Sequence, residues 1–188
     1  VAWEVTRRCN LNCVHCRASA ELGPYPGELE GPKSLEIIDQ IAGLGKSVVI
    51  LTGGEPLLRE DIFDLARYGT ERGLRMVMAT NGTLLAPVIA ERIRSSGIQR
   101  VSISLDGANA EEHDKFRQVQ GAYQASLKGI EILKEAGVEF QVNTTITKHN
   151  YRRCREILDS VVHLGAVAHH LFLLVPTGRA REMADQEI

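Results

Sequence analysis

Three of the chain's four cysteines sit in the single run Thr6-Arg7-Arg8-Cys9-Asn10-Leu11-Asn12-Cys13-Val14-His15-Cys16. Thiols clustered on so short a stretch read as metal ligands. A disulfide framework spreads its cysteines and serves chains too small to build a core. With the spacing CxxxCxxC, Cys9, Cys13 and Cys16 can hold three irons of a [4Fe–4S] cubane. The fourth iron is then open to a small bidentate molecule, such as one carrying an amine beside a carboxylate. The same thiols with His15 or a distant histidine make a tetrahedral zinc site. Spacing alone leaves both readings open.

Strand-like and helix-like segments alternate along the chain and must position these thiols. Strands are expected at 2–6, 47–52, 74–80, 100–106, 138–147 and 166–175, with helices at 34–44, 60–72, 86–96, 122–136 and 150–163. Ser34 and Asn150 read as N-caps, Pro87 as a first-turn proline, and Gly73, Gly97 and Gly137 as stops. Repeated βα units imply a parallel sheet with right-handed crossovers. The expected fold class is α/β, a partial (β/α)6 TIM-like barrel, with an open doubly wound sheet as the alternative. The fourth and fifth strands favour the barrel. Val101, Ile103 and Leu105 alternate there with Ser102, Ser104 and Asp106, and a second apolar set alternates with Gln141, Asn143, Thr145 and Thr147. Burying such groups unpaired costs about 1–3 kcal/mol each, enough together to consume a domain's stability. One face therefore packs on helices, and the other turns toward solvent, ligand or its own polar neighbours.

The connection over 7–33 is far longer than the usual ~2–6 residue βα loop, and it contains all three clustered cysteines. At the end of the second strand stands Gly53-Gly54-Glu55-Pro56. Thr80-Asn81-Gly82 ends the third, and Ser104-Leu105-Asp106-Gly107 the fourth. All of them fall at the end of a strand where barrel enzymes keep their chemistry.

Taken together, these motifs resemble the radical S-adenosylmethionine (SAM) superfamily over nearly the whole chain. The family's cluster motif carries an aromatic residue before its last cysteine; here that position is His15. The resemblance implies a [4Fe–4S] cluster on Cys9, Cys13 and Cys16, with SAM bound through the open iron. One electron from the cluster then splits SAM, giving a 5′-deoxyadenosyl radical that abstracts hydrogen from an organic substrate. The family's GGEP motif, here Gly53 to Pro56, implies contact of the glycines and Glu55 with the SAM amino group. Ser104 or Asp106 is expected at the ribose with Thr80 nearby, Asn143 or Thr145 along the adenosine, and Val175 beside the adenine. Arg117 is expected to pair with the SAM carboxylate, its ordinary reading being a solvated loop arginine. The segments Cys13-Val14-His15-Cys16-Arg17-Ala18-Ser19-Ala20 and Pro176-Thr177-Gly178-Arg179-Ala180 resemble the tetrapyrrole-modifying branch of haem biosynthesis. Molybdenum-cofactor and SPASM-type peptide-modifying enzymes are similar relatives. The resemblance also implies a low-potential electron donor such as flavodoxin or ferredoxin.

The remaining residues read as structural. Cys154 lies on an apolar stripe with Ile157, Leu158, Val161 and Val162, and is expected in the core. Trp3, Met76 and Met78 read as packing or cavity lining, and His149 and His163 as loop and helix-end residues. One of His169 and His170 must face the barrel, which leaves a substrate role open to it beside the structural one.

At 188 residues and a formal charge of −2, the chain is expected to form one soluble, cytoplasmic domain over 1–188 with no affinity for nucleic acid or membrane. No apolar run approaches the roughly 18 residues a membrane-spanning helix needs. The missing initial Met and the polar run 181–188 suggest a fragment of a longer protein, without the cysteine-bearing C-terminal extension that the tetrapyrrole branch implies. Two other functions fit the sequence: a radical SAM peptide maturase or nucleotide cyclase, and a non-catalytic zinc or iron–sulfur binding module.

Overall fold

The computed structural model describes residues 1–188. Strands β1 (Ala2–Thr6), β2 (Val48–Gly53), β3 (Arg75–Thr80), β4 (Val101–Ser104), β5 (Phe140–Ile146) and β6 (His169–Leu173) form one sheet in sequential order. Every neighbouring pair is parallel. A doubly wound sheet reverses its strand order at a switch point; this one does not, and it is a partial (β/α)6 barrel. The helices are α1 (Gly31–Gly43), α2 (Ile62–Glu71), α3 (Pro87–Ser95), α4 (Ala110–Arg117), α5 (Ala122–Glu135) and α6 (Cys154–Leu164).

The period-2 alternation of the strands sorts their side chains onto two faces. Val49, Leu51, Met76, Met78, Val101, Ile103 and Val142 are fully buried and join Ile38, Ile62, Leu65, Ile93, Ile130 and Leu133 from the helices in one core. Each such side chain removed from water contributes about 1.5–3 kcal/mol. Met76 and Met78 are thus core, and Trp3 packs against the same cluster. Thr52, Ala79, Ser104, Asn143 and Thr145 alternate with these and remain half-exposed on the concave face.

Several local expectations are corrected. Helix α1 starts at Gly31 with Glu30 at its N-cap, because Pro32 presets helical geometry one turn earlier than Ser34. Ser34 lies inside, where its hydroxyl donates to the Leu29 carbonyl and accepts from Arg59. Asn150 does not cap α6, which begins at Cys154 after a 3₁₀ turn over Tyr151–Arg153. Its amide instead donates to the carbonyls of Asp106 (2.9 Å) and Thr145 (2.8 Å), tying the ends of β4 and β5 together. On α6, Ile157 and Val161 are buried, but Cys154 is half-buried and Leu158 and Val162 are exposed. Ile157 and Val161 join the core, and the other half of the apolar stripe faces solvent. Helix α4 was not expected, being mostly charged, and it takes Arg117 out of a loop. Asn109 caps it by accepting from Glu112 N, and His113, Phe116 and Arg117 form its buried face.

Candidate functional site

The long loop after β1 lies directly on the end of β2. Gly54 N donates to Thr6 O and Glu55 N to Arg8 O, each at 2.7 Å, extending the β1–β2 pairing into the loop. A Cβ on Gly53 would stand 2.1 Å from Thr6 O, and one on Gly54 2.2 Å from Arg8 O. The two glycines are therefore required by the approach of the cysteine loop itself.

That loop gathers its thiols on one wall of a cavity. Cys9 and Cys13 are buried and Cys16 half-buried. Each sulfur accepts one N–H: from Leu11 N at 3.4 Å to Cys9, from Arg117 Nη1 at 3.6 Å to Cys13, and from Ala20 N at 3.3 Å to Cys16. Burial pushes the Cys9 thiol up to about 11 and raises that of Cys13. Such groups ionise only against a positive partner, and the three N–H donors are aimed at the charge a thiolate would carry. No three His, Cys, Asp or Glu side chains converge closely enough to hold a single metal ion. The donor set suits a cluster whose irons each take one thiolate.

Glu55 is buried behind this wall. One carboxylate oxygen accepts from Thr80 Oγ1 (2.7 Å) and Leu57 N (3.1 Å), the other from Asn81 N (2.8 Å). Burial raises its pKa against the lowering effect of these donors. Asn81 then donates to Asn10 Oδ1 at 2.9 Å, and Asn10 to Thr83 Oγ1 at 2.9 Å. The ends of β2 and β3 are thereby joined to the cysteine loop through Asn10, between the first two thiols.

Asp106 and Arg117 form a buried ion pair. Asp106 Oδ1 also accepts from Thr145 N at 2.7 Å. Burial, the largest single effect, would raise the Asp106 carboxyl, but the Arg117 guanidinium together with His15, His113 and the Thr145 N–H outweighs it and holds the group below the usual carboxylate range. His15 stacks on Phe116 with ring centres 4.1 Å apart, and its Nε2 lies 3.9 Å from Asp106. His113 accepts from Asp106 N through Nδ1 at 3.1 Å. Burial lowers His15 to about 3 and His113 to about 4, so both rings are neutral at neutral pH.

The segment after β6 closes over the loop. Arg179 donates from its backbone N to Cys16 O (3.0 Å), from Nε to Cys13 O (2.9 Å) and from Nη1 to Ala20 O (2.9 Å). A Cβ on Gly178 would meet Arg17 O at 2.2 Å.

The cavity measures about 400 Å³. It is lined by Cys9, Cys13, His15 and Cys16 with Gly53, Gly54, Thr80, Ser104, Arg117, Asn143, Thr145 and Val175. Glu55, Pro56 and Asp106 do not line it: Pro56 is buried in a 3₁₀ turn, and both carboxylates are occupied by the bonds above. A larger cleft of about 750 Å³ lies under residues 22–30 and holds none of the cysteines.

Residues 3–161 match the family model of the Radical SAM superfamily. The chain belongs to that superfamily. Its members use a [4Fe–4S] cluster and SAM. An AdoMet-dependent heme synthase of Methanosarcina barkeri is 52% identical over 97% of this chain and 52% of its own length. One from Nitratidesulfovibrio vulgaris is 50% identical over 100% of this chain and 51% of its own length. The chain thus spans about half the length of these curated relatives. Streptococcus suis SuiB, solved bound to S-adenosylmethionine, has the same fold, with a TM-score of 0.77 at 20% identity over 90% of this chain and 39% of that one.

In this radical SAM domain the sequence reading missed Asn10, His113, Phe116 and Arg179 as site-forming residues. Asn10 sits inside the cysteine spacing and Arg179 inside a segment already singled out, so both carried a signal. His113, Phe116 and Arg117 share the i, i+3, i+4 spacing of a helix face, hidden by the charges between them.

Proposed function

We propose that this domain, residues 1–188, is the radical-generating core of an enzyme that abstracts hydrogen from a tetrapyrrole in haem biosynthesis. The observation that carries the reading is the set of three thiols on one wall of a polar cavity, each with its own N–H donor. The relatives named heme synthases support the choice of substrate class. When bound, the cluster and SAM supply an organic radical through one-electron cleavage of the sulfonium.

The protein's part is to bind and orient. Cys9, Cys13 and Cys16 would each give one thiolate. Gly53 and Gly54 hold the loop flat and leave the cavity edge open to the amino-acid end of SAM. Arg117 Nε is a nitrogen without any partner, and its N–H is a donor left for the SAM carboxylate. Ser104, Asn143 and Thr145 offer hydrogen bonds to the ribose and adenine, Thr80 lies beside them, and Val175 supplies an apolar flank. Asp106 acts by fixing Arg117, and Glu55 with Pro56 by fixing the wall. A low-potential flavodoxin or ferredoxin in the cytoplasm would deliver the electron. No helix is long and apolar enough to cross a membrane.

Anaerobic reconstitution with iron and sulfide tests this reading. The reduced protein should give a [4Fe–4S] electron paramagnetic resonance signal that changes when SAM is added, and should release 5′-deoxyadenosine. A signal indifferent to SAM, with no deoxyadenosine from a verified cluster, would refute it.

A further inference from the structure

The cavity holds one cation that the reading above leaves unused. Arg17 follows Cys16 directly, and its guanidinium pairs with Glu4. Glu4 lies on the concave face, because Trp3 and Val5 beside it pack into the helix-side core and its register partner is Thr52. Both side chains of the pair keep contact with solvent, at 69% and 37% exposure, and such pairs are weak and exchangeable. Three cationic or basic side chains line the cavity: His15, Arg17 and Arg117. His15 is stacked on Phe116, and Arg117 serves Asp106, Cys13 and, in the reading above, the SAM carboxylate. No carboxylate lines the cavity. Its lining also includes Phe172, Leu173 and Val175, which are 51%, 65% and 62% exposed. A cation with an exchangeable partner, together with a broad apolar wall, suits a flat apolar molecule fringed with carboxylates.

We propose that Arg17 binds a carboxylate of the substrate, displacing Glu4 from the guanidinium. This rests on the tetrapyrrole reading above. Arg17 is then a substrate-positioning residue beside the third cysteine. The methionine carboxylate of SAM has the same chemistry, so the test must separate the two.

Absorbance titration of the anaerobically reconstituted protein with coproporphyrin III, and with its tetramethyl ester, does so. Arg17→Ala should weaken binding of the acid about tenfold or more, the usual effect of losing a charge-assisted hydrogen bond, and leave the ester unaffected. Arg17→Lys, which keeps charge but loses the planar fork, should fall between, and it stands in for the alanine variant should that one fail to hold its cluster. Glu4→Gln should tighten acid binding severalfold. Acid and ester binding alike, with Arg17→Ala changing neither, overturns the role of Arg17 but leaves the tetrapyrrole reading standing. Binding of neither molecule by the unaltered protein overturns both. An equal loss of SAM affinity in Arg17→Ala assigns the guanidinium to SAM and overturns the proposal.

Discussion

Arg179 donates its Nε proton to the carbonyl oxygen of Cys13 at 2.9 Å, joining residues 166 positions apart. Two further bonds from the same residue hold Cys16 O and Ala20 O. The segment following the last strand is therefore part of the wall that carries the thiols. Arg179→Ala should lower iron and sulfide content after reconstitution and speed amide exchange over residues 13–20. The melting transition of the sheet should move little, since none of these bonds belongs to it. Protection unchanged over 13–20 would show that the clamp does not hold the loop.

The cysteines should divide three to one. Replacing Cys9, Cys13 or Cys16 by Ala should abolish the four-iron signal. Cys154→Ala should preserve it, because Cys154 lies on α6 with only a 4.0 Å contact to Asn150 O. Iron and sulfide analysis with electron paramagnetic resonance decides this. A cluster retained in Cys13→Ala contradicts the ligand set.

Glu55 braces three donors from two loops, so its loss should be felt in stability before it is felt in ligand affinity. Glu55→Gln removes the charge and turns one acceptor into a donor facing a donor. The expected cost is about 1–3 kcal/mol in urea denaturation. Glu55→Ala should cost more and impair cluster assembly as well. Unchanged stability combined with a selective loss of SAM affinity would instead put Glu55 in direct contact with SAM.

His113 gives the fold an acid sensitivity. Burial depresses its folded-state value to about 4, below the ordinary value near 6.5. The unfolded chain therefore binds the extra proton first as pH falls. Its contribution is complete above about pH 6.5 and is lost as pH falls toward 4, at a slope of up to about 1.4 kcal/mol per pH unit. His15, held at about 3, adds a slope of the same sign, so urea denaturation at pH 7, 6 and 5 should show the combined slope and His113→Gln should reduce it by roughly half. An equal slope in the variant would assign the effect elsewhere.

The sheet was legible in the residues because buried parallel strands and amphipathic helices carry distinct periods, and the punctuating glycines fall between them. The cysteines, Gly53-Gly54 and the polar strand residues were legible as one site because each falls at the same end of its strand. Their partners were less so. Glu55 is held by backbone N–H groups of Leu57 and Asn81, which any side chain would supply, and so no residue type announces them. The position of Arg117 depends on α4, whose charged sequence hides three buried residues. Leu158 and Val162 look like core on a helical wheel, but whether a stripe is covered depends on which neighbours the fold sets against it, and these two remain exposed.

Strands β1 and β6 are not hydrogen-bonded to each other, yet the loop after one and the segment after the other are locked together by Gly178 and Arg179. A displacement of the cysteine loop therefore has to break the three Arg179 bonds, while Lys148 still holds Asp185 and Gln186 further along the same segment. The two edges of the open sheet are thereby tied through loops alone, with no strand between them.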